Sequence, residues 1–225
     1  MKLKKLVLLS TLMVGLVPLS RGQITGTHHD FRSGVEKAYN QGGEVCLVCH
    51  APHNNDVSQT PLWNHATTQA NFTAYGQGGS GYAIKFTPGQ PTGASKLCLS
   101  CHDGVTAVNA YGTGGGASGL QDTLTPGTPR TLLMGALSSR SNLTTSLMTS
   151  HPVSFVYDGT LVAADPGLRD TSSSSGLGHS IGTDMLDKTG QVQCTSCHEV
   201  HGTPYYKFQR MSNVGSALCL TCHKK

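Results

Sequence analysis

The chain has 225 residues, with 16 Lys and Arg against 12 Asp and Glu, 28 Gly, and only seven Tyr, five Phe and one Trp. So few aromatic residues among so many glycines leave little apolar area to offset the conformational entropy of folding. A conventional core built from side chains alone is therefore excluded, and something else must fill the centre.

The chain opens on the basic stretch Met1-Lys2-Leu3-Lys4-Lys5, and Leu6 to Pro18 is almost wholly apolar, the order of a secretory signal peptide. Pro18 interrupts the apolar run too soon for a membrane span, and Ser20-Arg21-Gly22 places small residues where a signal peptidase reads. Residues 1–22 are expected to be removed, with the mature chain starting near Gln23, and no later run has spanning length. The leader carries four of the basic residues, Lys2, Lys4, Lys5 and Arg21, so 12 remain against 12 acidic ones and the mature chain is formally neutral. That balance gives no support to nucleic-acid or membrane-surface binding. The leader predicts a secreted protein, extracellular or at the cell surface, with the periplasm as the alternative.

The eight cysteines fall in four copies of one pattern: Cys46-Leu47-Val48-Cys49-His50, Cys98-Leu99-Ser100-Cys101-His102, Cys194-Thr195-Ser196-Cys197-His198 and Cys219-Leu220-Thr221-Cys222-His223. CxxCH is the pattern of c-type haem attachment, in which two thiols bond the porphyrin edge and the next imidazole becomes an axial iron ligand. Paired cysteines also build zinc sites and disulfides, but neither requires a histidine after each pair. With 11 His in 225 residues, four such histidines by chance have odds on the order of one in a hundred thousand. Four covalent haems are predicted, with Cys46, Cys49, Cys98, Cys101, Cys194, Cys197, Cys219 and Cys222 as attachment points. His50, His102, His198 and His223 are the expected proximal ligands.

Seven histidines remain, enough for a second imidazole on every iron: His28, His29, His53, His65, His151, His179 and His201. An internal repeat sorts them. Cys46 to His53 and Cys194 to His201 share a second histidine three residues past the proximal one, and each is followed by a plainer copy. Each is also preceded by a histidine close to a phenylalanine, in His29-Asp30-Phe31 and His151-Pro152-Val153-Ser154-Phe155. The two axial ligands of an iron lie on opposite faces of a flat macrocycle, so His53, one helical turn from His50, must serve a different haem. The second haem of the same module is the expected recipient: His53 for the haem at Cys98/Cys101 and His201 for that at Cys219/Cys222. By the same symmetry His151 is expected to serve the haem at Cys194/Cys197, and His29 or its neighbour His28 that at Cys46/Cys49. His65 and His179 have no repeat partner and are expected to be ordinary histidines.

The predicted fold class is mostly irregular, with a short helical turn at each CxxCH and short strands at Val153 to Tyr157 and Gly81 to Phe86. Glycine- and serine-rich loops such as Gly112 to Gly119 fill the remainder, and the haems organise the whole. Two haem-pair modules are expected, at 23–130 and 131–225.

The segments CLVCHAPHN, PLWN, HPVSFVY, CTSCHEVHG and SALCLTCH resemble the doubled-CXXCH multihaem cytochromes. The size, the haem count and the leader are similar to the filament-forming extracellular tetrahaem cytochromes of the OmcE type. That resemblance implies head-to-tail polymers of identical subunits, bis-histidine haems, and one iron that takes a ligand from the neighbouring subunit. His28 and His29 stand near a new N-terminus, as such a reach requires.

Electron conduction rather than enzyme catalysis is the expected function, because an enzyme needs an iron with an open position and here spare imidazoles outnumber irons. The alternatives are a monomeric periplasmic shuttle with unidentified redox partners upstream and downstream, and a multihaem reductase. Few and balanced charges favour self-association over a shuttle that docks through a charged face.

Overall fold

The computed structural model describes residues 24–34, 37, 40, 43–52, 62–77, 84–112 and 131–224. The leader, His53, residues 81–83 of one expected strand and 113–130 between the two expected modules lie outside the described residues. Most of the described chain is coil and turn, with six short α-helices and one two-stranded sheet among the described residues.

The longest helix, α1, is Gly93–His102, and it ends in the second CxxCH motif. Leu97, Leu99, Ser95 and Ser100 form its buried side. Its first residue has φ +52° and lies so near Gln193 that an added Cβ would meet Nε2 at 3.1 Å, which is why glycine stands there. After α2 (Met134–Leu137) the chain enters β1 (Phe155–Val156) and α3 (Gly159–Ala164), the latter capped by Asp158, whose carboxylate accepts the Leu161 N–H at 3.0 Å. Next come α4 (Ile181–Asp184), β2 (Gln191–Val192), α5 (Cys194–Cys197) and α6 (Ala217–Cys222).

Three of the four CxxCH motifs thus sit on helices. The first is a bare turn, held by the Cys49 and His50 N–H groups on the Cys46 carbonyl at 3.1 and 2.8 Å. The strand expected at Val153 to Tyr157 is only two residues long, Phe155–Val156, and pairs antiparallel with β2, Phe155 opposite Val192. Residues 84–86 are not extended as a strand. There Phe86 stacks on Phe155 at 4.1 Å and 12°, so a ring contact holds the segment where a backbone ladder was expected.

The apolar residues form three small clusters. Phe31, Val48, Val108, Tyr111, Leu132 and Met134 enclose one, against which Cys49 and Cys101 pack. Tyr157, Leu161, Leu168, Ile181, Met185, Val192 and Leu218 form a second, flanked by Cys197 and Cys222. Phe72, Leu99 and Leu147 make the third. Every motif therefore turns its second cysteine toward apolar neighbours.

The halves of the chain are joined through α1 and α5. The Ser95 hydroxyl donates to Oε1 of Gln193 at 2.5 Å, and the Cys194 N–H donates to Ser95 Oγ at 3.0 Å. Ser95 and Gln193 are both buried. Gln193 also caps α5, where Ser196 Oγ accepts the Gln193 N–H at 2.9 Å.

Candidate haem sites

The eight cysteines are free thiols rather than disulfides. Burial pushes the Cys49 and Cys101 thiols up to about 12 and that of Cys222 to about 11. A zinc site needs ionised sulfur, which these apolar surroundings oppose, whereas a thioether to a porphyrin carries no charge and is at ease there. Among the described residues no three of His, Cys, Asp and Glu converge as a metal cage would require. The donor chemistry therefore fits haem attachment.

The thiols of successive motifs approach one another. Cys98 and Cys194 lie within electrostatic reach of each other where α1 meets α5. Cys49 lies within electrostatic reach of Cys101, and Cys197 within reach of Cys219 and Cys222.

The histidines form three close ring pairs. His29 faces His102 with centroids 6.1 Å apart, His50 faces His201 at 5.9 Å, and His151 faces His223 at 6.3 Å. Each pair joins one CxxCH histidine to one spare histidine. With metal–imidazole bonds of about 2 Å, two axial imidazoles on one metal have centroids roughly 6 Å apart. The centroid spacing leaves room for a metal between the rings of each pair.

Hydrogen bonds orient several of these rings through Nδ1, which leaves Nε2 for the metal. Nδ1 of His102 bonds the Ser141 carbonyl at 2.8 Å, that of His151 the Pro152 carbonyl at 2.8 Å, and that of His198 the Lys207 carbonyl at 2.9 Å. Nδ1 of His201 stands 3.3 Å from Oε1 of Glu199. His29 is stacked on Phe208 at 4.8 Å, and burial with the neighbouring His102 pulls it down to about 4, so its ring is neutral and fit for a metal. The segment carrying it is pinned by Asp30, which takes Arg32 Nε and Nη2 at 2.8 Å each and the Gly26 N–H at 2.8 Å.

The pairs differ from the partners expected within each module. His29 faces His102 rather than His50, His201 faces His50 rather than His223, and His151 faces His223 rather than His198. Only the His50–His201 pair spans the two halves, which are docked through α1 and α5; the other two pairs each join rings of a single half. His28 is exposed beside His29, and His53 lies outside the described residues.

The two histidines without a repeat partner are held elsewhere. His65 is 1% exposed, with Nδ1 2.8 Å from the Ala66 carbonyl and Nε2 3.0 Å from that of Val108. His179 is exposed and its Nδ1 bonds Oδ1 of Asp184 at 3.0 Å. One group had no signal in the sequence: the Trp63 side chain is 8% exposed, yet its Nε1 has no hydrogen-bond partner among the described residues. Trp63 is bridged to His50, so a donor stands beside the first motif where a haem propionate can accept it.

Over residues 188–225, spanning the third and fourth motifs, the chain matches the family model described as the doubled CXXCH motif. No curated protein gives a significant match. The matched segment is the haem-attachment motif of multihaem c-type cytochromes, and it implies covalently bound haem c and a part in electron transfer.

Proposed function

We propose that the chain is a tetrahaem conduit, with one haem at each CxxCH and two imidazoles on every iron. The observation that carries this is the recurrence of three imidazole pairs, each of one motif histidine and one spare, at 5.9 to 6.3 Å. When bound, haem supplies one-electron chemistry at iron. The cysteines would hold each macrocycle edge, and the paired imidazoles would close both sides of three of the four irons. Irons so closed offer no position to a substrate, which favours a relay over a reductase.

The ligand set is His50, His102, His198 and His223 on the proximal side, with His29, His151 and His201 opposite three of them. The iron at His198 would take its second imidazole from His28 of an adjoining copy. Exposed His28, the balanced charge of the mature chain, and exposed apolar side chains such as Val214 (84%) and Tyr206 (75%) favour head-to-tail assembly outside the cytoplasm over a soluble periplasmic shuttle.

The test is made on secreted holoprotein. Four haems per chain, wholly low-spin ferric spectra and filaments under negative stain are the expected results. A ratio below four or a substantial high-spin fraction overturns the tetrahaem bis-histidine reading. A monomer at high concentration replaces the filament by the shuttle.

A further inference from the structure

We infer that axial ligation departs from the repeat: His201 closes the iron of the haem on Cys46/Cys49 across the two halves of the chain, while within each half His29 closes that on Cys98/Cys101 and His151 that on Cys219/Cys222. The inference rests on the bis-histidine reading above and deepens it, because that reading fixes how many imidazoles each iron takes but not which.

The argument is geometric. A histidine three residues past the proximal one sits one turn along the chain and cannot reach the far face of its own macrocycle. It serves whichever iron lies across from it. For His201 that is the iron of His50, whose ring is 5.9 Å away and inclined by only 20°. His201 is also prepared for the task, since Glu199 bonds its backbone N–H at 3.0 Å and stands 3.3 Å from its Nδ1, leaving Nε2 directed elsewhere. His29 is prepared in the same way by the Asp30–Arg32 pair and the Phe208 ring, and Phe208 belongs to the opposite half of the chain. His151, with Nδ1 on the Pro152 carbonyl, faces His223 nearly edge-on at 76°.

The Ser95–Gln193 contact sets α1, which carries the second motif, against α5, which carries the third, and so holds the two halves in register for the His50–His201 pair.

The test uses secreted holoprotein and single variants His201→Ala, His29→Ala and His151→Ala, read by electron paramagnetic resonance and near-infrared magnetic circular dichroism. Each is expected to turn one haem in four high-spin. The opened haem is located by repeating His201→Ala in a Cys46→Ser/Cys49→Ser background, where the high-spin signal should vanish. A signal that persists there and vanishes in a Cys219→Ser/Cys222→Ser background overturns the crossing and restores ligation within each module. If the cysteine variants are not secreted, a structure of the wild-type holoprotein reads the iron–nitrogen bonds directly: His201 on the haem of Cys46/Cys49 supports the inference and any other ligand there overturns it. Four low-spin haems in all three histidine variants also overturn the inference while leaving the bis-histidine reading standing. High-spin iron in the wild type overturns that reading itself.

Discussion

Ser95 and Gln193 form a buried joint in which one hydroxyl both donates to the Gln193 side chain at 2.5 Å and accepts the Cys194 N–H at 3.0 Å. Nearly a hundred residues of chain separate the two partners. The joint sets α1 against α5 and so sets the second motif against the third.

Ser95→Ala is expected to cost about 1–3 kcal/mol, since it strands the part-buried Cys194 N–H and removes the shortest of three bonds to Gln193 Oε1. For a chain of this length that is a fall in melting temperature of roughly 2–10 °C. Thermal unfolding of the holoprotein, followed by haem-region circular dichroism, checks it; a variant as stable as the parent would remove the joint from the account.

Changing both cysteines of any one motif to serine should lower the intact mass of the secreted protein by one haem. The four double variants are expected to behave alike, including that of the turn at Cys46 to His50, which is not a helix. Mass spectrometry gives the count directly.

His65→Phe should leave every haem low-spin while destabilising the fold by about 1–3 kcal/mol, because the neutral ring donates its one N–H to the Ala66 or the Val108 carbonyl and that bond is lost. The appearance of a high-spin haem in this variant would instead make His65 an iron ligand.

Asp187 links stability to acidity. Burial raises its carboxyl pKa, but donors from Thr189, Gln191 and Gln193 outweigh burial and hold it below the ordinary 3.8. A folded-state value below the unfolded one stabilises the protein fully above the unfolded value, and that stabilisation is lost as pH falls through the folded one. Asp187→Asn is therefore expected to be less stable than the parent at pH 6, with the gap narrowing below about pH 4. Denaturant titrations across that range measure it, and a constant gap would refute the linkage.

The candidate site was legible because haem attachment has a local pattern: four CxxCH motifs, each within five residues, mark the candidate thiols and proximal imidazoles. The coil-rich fold was legible from glycine content and from the scarcity of aromatics. The facing of His201 and His50 was not, because the repeat invites pairing within each module and nothing in the spacing of His201 reveals that His50 lies opposite. The joint of Ser95 with Gln193 was hidden too, because a serine and a glutamine carry no motif. The unpartnered Trp63 N–H was equally silent, since only packing shows that a donor is buried without an acceptor.

The docking of α1 on α5 bears on how the protein is made, because it brings the Cys194 N–H to Ser95, three residues before Cys98. Two free thiols held near one another in an oxidising compartment can form a disulfide, and that bond would deprive two motifs of an attachment point in a single event. Haem loading ahead of this docking removes the hazard, because a thioether has no hydrogen left to lose.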